Sequence, residues 1–199
     1  MAITTILYDL GGTLVHFDFT PINAKLAASS GKTPNEVKEL VLPRYTEFCH
    51  GRMTGRQWHQ FIAETFGVSM PYNEFRRFWA DIFWENGPMF GLARRLCANY
   101  RSYLLSNTDE IHLPWCLEKF PLEALLDGMI LSYQVGAMKP DRAIYERGLA
   151  KFGLEPGECV FIDDLPANLD GARALGIIAV RCESAEQVER DLAALGVRG

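Results

Sequence analysis

The chain has 199 residues, and 20 Lys and Arg against 25 Asp and Glu leave a net charge of −5 with no basic run anywhere. That balance excludes a protein built to hold nucleic acid or another polyanion. Apolar residues at 48% and charged residues at 23% are the proportions of a globular domain, and a chain of this size buries roughly 70% of its extended surface, so no disulfide or metal staple is needed.

The N-terminus carries one short apolar stretch, Ile6 to Leu10, without a basic lead. It is too brief for a signal peptide or a membrane span, so the expectation is a cytoplasmic protein with no membrane partner. Cysteines 49, 97, 116, 159 and 182 are odd in number and form no CxxC pair, which reads as ordinary buried thiols. Histidines 16, 50, 59 and 112 include no pair at helical ligand spacing, which argues against a histidine metal centre.

Five short apolar runs predict strands buried on both faces: Thr5 to Leu10, Arg101 to Leu105, Gly128 to Leu131, Cys159 to Ile162 and Ile177 to Arg181. Between the first and second lies a long interruption, Val15 to Phe90, whose 76 residues are too many for a loop. Thr20-Pro21 opens a weak helix through Ser29. Thr33-Pro34-Asn35-Glu36 is a capping box leading into Val37, Leu40, Val41, Tyr45 and Phe48 at helical spacing. Thr54 with Gln57 caps a third helix bearing Trp58, Phe61, Ile62 and Phe66, and Phe75, Phe78, Trp79, Ile82 and Phe83 stripe a fourth. Fourteen of the 23 aromatic residues fall in this stretch, enough for a core of its own.

Past it, Met89 to Tyr100, Asp141 to Phe152 and Asn168 to Leu175 carry helical patterns long enough to cross over a sheet. Short parallel strands joined by helices imply a right-handed, doubly wound α/β fold. Ser184 with Gln187 predicts a capping box for a last helix with Val188, Leu192 and Leu195 on one face.

The chemistry gathers at strand ends. Asp9 closes the first strand, and Gly11 and Gly12 after it allow a sharp turn that offers bare N–H groups to an anion. Ser106 and Asn107 close the second, Lys139-Pro140 follows the third, and Asp163-Asp164 close the fourth. Two adjacent carboxylates are costly without compensation, and a hard dication with oxygen ligands, Mg²⁺, is the natural compensator. In a parallel sheet all these groups share one edge, and a carboxylate nucleophile, a hydroxyl, a lysine and a metal-binding acid pair are the parts of phosphoryl transfer through an aspartyl-phosphate.

With Asp9-Leu10-Gly11-Gly12-Thr13, Leu105-Ser106-Asn107, Lys139-Pro140 and Asp163-Asp164 in order, and Asn168 downstream, the sequence resembles the haloacid dehalogenase superfamily over nearly its whole length. The resemblance implies a Rossmann-like core, residues 1–14 and 91–199, with strand order 5-4-1-2-3, and an all-helical four-helix cap at residues 15–90. It implies Asp9 as nucleophile, Lys139 steadying it, and Ser106 and Asn107 holding phosphate, with Gly12, Thr13 and Asn168 also at the substrate. Mg²⁺ would be held by Asp9, the Gly11 carbonyl and Asp164, with Asp163 as a further ligand or a support behind them.

Family phosphatases resemble one another in a second Asp two residues past the nucleophile, which serves as acid and base; here that position is Gly11. Asp18, or else His16, is the candidate replacement. Loss of that Asp also resembles the metal-independent 2-haloacid dehalogenases, which lack the acidic pair kept here at Asp163-Asp164. A segment like Leu105 to Trp115 and the Gly are similar to phosphatases of α-glucose 1-phosphate, whose acidic anomeric oxygen leaves readily. The expectation is thus a Mg²⁺-dependent phosphatase of a small phosphorylated metabolite, a sugar phosphate, working as a monomer or homodimer. The alternatives are a dehalogenase-like hydrolase and a catalytically silent phosphate-ligand binder.

Overall fold

The computed structural model describes residues 2–199. In chain order, β1 (Thr5–Tyr8) leads to β2 (Val15–Phe17), then to four helices, α1 (Thr20–Ser30), α2 (Pro34–Cys49), α3 (Gly55–Phe66) and α4 (Tyr72–Ala80), and back through β3 (Phe83–Glu85). There follow α5 (Gly87–Leu96), β4 (Arg101–Ser106), α6 (His112–Lys119), β5 (Gly128–Leu131), α7 (Ser132–Val135), α8 (Arg142–Phe152), β6 (Cys159–Asp163), α9 (Pro166–Arg173), β7 (Ile178–Arg181) and α10 (Ala185–Ala194).

β1, β4, β5, β6 and β7 make one parallel sheet in the order β5-β4-β1-β6-β7. Numbered among themselves, these strands run 3-2-1-4-5, the expected order read from the opposite edge. Residues alternate between the faces. Ile6 and Tyr8 of β1, with Leu104, Val160 and Ile162, join Phe90 and Leu96 of α5 and Val188 and Leu192 of α10. Leu7, Leu105 and Phe161 point the other way and join Ile144 and Leu149 of α8 and Leu169 and Ala172 of α9. Both faces are therefore covered, as the unbroken apolar runs require.

A third core lies among α1–α4, where Leu26, Val37, Trp58, Ile62, Phe66, Phe75 and Trp79 are buried, joined by Ile111 from the loop after β4. The Trp58 and Trp79 rings meet edge-on with centroids 4.9 Å apart, and Phe48 stacks on Trp58 at 5.5 Å. Capping boxes at Thr33/Glu36 and Thr54/Gln57 start α2 and α3 as the sequence predicts.

Several expectations need correction. The segment 15–90 is not helical throughout, because its ends pair as an antiparallel ribbon, with His16 opposite Trp84. The fourth aromatic stripe stops at Ala80, since Phe83 belongs to β3. Leu40 is 43% exposed, and Leu195 is 41% exposed beyond the end of α10. Ser184 caps α10, but the Gln187 side chain accepts from Glu183 N, so the box is half formed. All five cysteines are free, four of them buried. Among the described residues no helix is long and apolar enough to cross a membrane.

Candidate active site

The register of the three central strands builds the site. Tyr8 pairs with Leu104 on one side and Ile162 on the other, so Asp9 and Asp163, one residue further on, and Ser106, two residues past Leu104, come out at one edge. The Asp9 N–H extends the ladder to the Ile162 carbonyl at 2.9 Å. One oxygen from each of Asp9, Asp163 and Asp164 lies within 4.8 Å of the others. Lys139 Nζ stands 2.7 Å from Asp9 Oδ1 and 2.7 Å from Asp163 Oδ2, with its side chain 1% exposed.

Burial pushes the Asp9 carboxyl up to about 7; Lys139 opposes that rise and Asp163 adds to it. Burial, aided by the Asp163 charge, likewise raises Asp164. Asp163 is satisfied from within the protein: Asn168 Nδ2 donates to both its oxygens at 3.0 and 2.9 Å, and Leu165 N to Oδ1 at 2.8 Å. Asp164 Oδ1, by contrast, is buried with no hydrogen-bond partner. Three carboxylates and one ammonium leave a formal surplus of two negative charges around an unpartnered oxygen, a donor set that fits a hard dication.

Gly12 is what admits Asp164 to this cluster. Its φ of +85° suits glycine, and a Cβ built there would lie 2.5 Å from Asp164 Oδ2. Gly12→Ala should therefore cost about 1–2 kcal/mol of stability from the left-handed backbone alone and displace the Asp164 carboxylate. Denaturant titration together with Mg²⁺ titration calorimetry checks both effects, and a variant that binds Mg²⁺ like wild type contradicts the second.

Other sequence candidates take places of different kinds. Ser106 is buried at the end of β4. The Asn107 side chain forms a two-point bridge to the main chain of Lys139, donating to its carbonyl at 2.9 Å and accepting from its N–H at 2.8 Å. Its amide thus holds Lys139. The Asn168 amide is likewise committed to Asp163. Thr13 is fully buried and its carbonyl accepts from Asn86 Nδ2 at 2.9 Å. The structure does not bring Asp18 into the carboxylate cluster: it is exposed, accepts from Thr20 N at 2.8 Å at the start of α1, and those hydrogen bonds hold its carboxyl low. His16 lies in β2, its ring 5.8 Å from that of Trp84.

A cavity of about 180 Å³ opens beside Leu10, Gly11, Ser106, Asn107 and Thr108, and its far wall is Phe17, Phe19, Tyr45, Phe83 and His112. A larger, more open one of about 420 Å³ adjoins it through Phe17, Phe19 and Tyr45 and adds Asp18, Asn23 and Lys38. Sequence reasoning did not single out the wall residues; an aromatic excess in 15–90 was the available signal, and it reads first as core.

It also missed a buried polar knot where the bundle meets the sheet. Asp109 accepts from Ile111 N and His112 N at 2.8 and 2.9 Å through Oδ1. Its Oδ2 lies 2.7 Å from His112 Nδ1 and accepts the Tyr45 hydroxyl at 3.1 Å. His112 Nε2 is 3.0 Å from the Trp79 carbonyl in α4. Burial works against ionised Asp109, but His112 and the two backbone donors prevail and hold its carboxyl below the usual carboxylate range.

A family model of the haloacid dehalogenase-like hydrolases matches residues 3–176, and the chain belongs to that family of enzymes. It is similar to the D-ribitol-5-phosphate phosphatase of Bacteroides thetaiotaomicron, with 25% identity over 96% of this chain and 97% of that one. A crystal structure of a HAD family enzyme from Bacteroides thetaiotaomicron superposes with a TM-score of 0.82 at 26% identity, covering 91% of this chain and 94% of the other. A mutant of that enzyme in complex with magnesium and inorganic phosphate superposes at 0.79, again at 26% identity, over 90% and 94%.

Proposed function

We propose that the protein is a Mg²⁺-dependent phosphomonoesterase of a small phosphorylated metabolite, with residues 1–14 and 91–199 as the catalytic core and 15–90 as a cap over the site. The observation that carries this reading is the buried Asp9–Lys139–Asp163 chain beside the unpartnered Asp164 oxygen. The phosphatase-named relative and the magnesium–phosphate complex of a similar fold support it.

Asp9 is the nucleophile. One of its carboxylate oxygens bonds to phosphorus as the bond from phosphorus to the ester oxygen breaks, and the leaving group takes that electron pair. Water then attacks phosphorus, releasing inorganic phosphate and restoring the Asp9 carboxylate. Lys139 offsets the negative charge brought to Asp9 and is fixed by Asn107 and Asp163, while the Ser106 hydroxyl and the Asn107 N–H serve as donors to phosphate oxygens. Held by Asp9, the Gly11 carbonyl and Asp164, with Asp163 behind, Mg²⁺ would neutralise phosphate charge.

A sugar phosphate is the finer expectation of the sequence, yet the far wall of the inner cavity is mostly aromatic and offers little to sugar hydroxyls. Steady hydrolysis of p-nitrophenyl phosphate with Mg²⁺, lost at least 100-fold on chelation, is the expected result, with a phosphoryl adduct on the intact chain by mass spectrometry. Chloride release from 2-chloropropionate in EDTA would instead establish a dehalogenase. Stabilisation by phosphate esters without turnover would establish a silent binder.

A further inference from the structure

Beyond the reading above, on which this inference rests, the cavity says what kind of ester is cleaved. Among the described residues that line it, none is a free acid of useful strength. Gly11 has no side chain, and the Phe17 ring closes the space beside it, since a Cβ built on Gly11 would lie 2.8 Å from Phe17 Cε1. The Tyr45 hydroxyl is given to Asp109, and the two ring nitrogens of His112 face Asp109 and the Trp79 carbonyl. Asp18 lies in the outer cavity and is tied to Thr20. What remains is the hydroxyls of Ser106 and Thr108, no stronger as acids than an alcohol leaving group.

The walls add a second, independent observation. Phe17, Phe19, Tyr45 and Phe83 form a continuous aromatic arc: ring centroids are 5.9 Å apart for Phe17 and Phe19, 5.8 Å for Phe19 and Tyr45, and 6.1 Å for Phe17 and Phe83. The polar groups lie opposite, at Ser106, Asn107 and Thr108. An apolar cavity of about 150 Å³ is enough to admit benzene, and this one measures about 180 Å³. Against that wall a sugar would set hydroxyls on aromatic carbon, whereas an apolar ring would pack on it, edge or face.

We propose that the preferred substrates are aryl phosphates, whose ring packs on Phe17, Phe19, Tyr45 and Phe83 and whose oxygen departs without being protonated by the enzyme. An Asp9 oxygen bonds to phosphorus, the bond from phosphorus to the aryl oxygen breaks, and its electron pair leaves as a phenolate that later takes a proton from solvent. A phenol of pKa about 10 tolerates this. An alkoxide, from an alcohol of pKa nearer that of water at about 15.7, does not.

The test uses the wild-type enzyme with Mg²⁺ and a series of ring-substituted phenyl phosphates graded by phenol acidity, with cyclohexyl phosphate as the saturated ring and acetyl phosphate as a ringless acyl phosphate whose leaving group, acetate, is acidic. A general acid is worth about 10²–10⁴-fold, so we expect kcat/KM for cyclohexyl phosphate to fall below that for phenyl phosphate by that factor. Log kcat should also drop steeply with phenol pKa, and acetyl phosphate should turn over with a higher KM than phenyl phosphate. A flat dependence on phenol pKa, or a cyclohexyl ester cleaved as fast as the phenyl ester, overturns the proposal while leaving the phosphatase reading in place. Failure to hydrolyse any member, acetyl phosphate included, sinks that reading and this one with it.

Discussion

Asp9→Asn should abolish turnover while leaving the fold as stable as wild type or more so. The expected loss in kcat/KM is at least about 10⁴-fold, because the proposed covalent route runs through Asp9 and the remaining groups only bind and polarise. Stability moves the other way for a separate reason. Burial works against the charged carboxylate at this position, an amide of the same shape removes that cost, and Lys139 keeps its contact with Asp163. A steady-state assay on p-nitrophenyl phosphate paired with a thermal melt checks both halves. Activity within 100-fold of wild type would remove Asp9 from the chemistry, and a melt lowered by many degrees would mean that lost structure, not lost chemistry, explains an inactive variant.

Asp109→Ala should be the most destabilising of the substitutions considered, although it lies outside the carboxylate cluster. It strips an acceptor from Ile111 N, His112 N, the His112 ring and the Tyr45 hydroxyl together. Removing a buried carboxylate from the hydrogen-bond network built on it costs about 3–5 kcal/mol, and for a domain of this size each kcal/mol moves the melting temperature by roughly 2–4 °C. A fall of roughly 6–20 °C is expected in a thermal melt; a change of under 2 °C would mean the knot adds nothing. The pH dependence has a definite sign. Because the folded carboxyl is held below its unfolded value, its contribution is complete above the unfolded pKa of about 3.9 and is lost as pH falls through the folded pKa. Wild-type stability should thus have an acid limb below about pH 4 that is weaker in Asp109→Asn, which cannot bind that proton.

The sheet was legible in the sequence because strands buried on both faces must be apolar along their whole length. Val160-Phe161-Ile162 ending in Asp163-Asp164 can scarcely be read otherwise. The placement of Asp9 and Ser106 at the same edge followed from parallel pairing alone. Where the reading stopped, a partner far along the chain decides the matter. His112 looks like a lone histidine until Tyr45, 67 residues away, and the Trp79 carbonyl are brought to it. Val15 to Phe17 and Phe83 to Glu85 are three residues each, too short for any period to show, and Phe83 fits a helical stripe as well as a strand. Asn107 and Asn168 look like ligand-binding amides in isolation, and it is the positions of Lys139 and Asp163 that claim their hydrogen bonds.

The ribbon of β2 and β3 means that the chain enters and leaves the bundle side by side, with Val15 opposite Glu85 and Phe17 opposite Phe83. Such a doorway makes the bundle a graft: whatever is spliced between two adjacent points need only begin where it ends, and the sheet beneath keeps its connections. The scaffold that aligns Asp9, Lys139 and Asp163 can accordingly stay constant while the material above it is exchanged for another module.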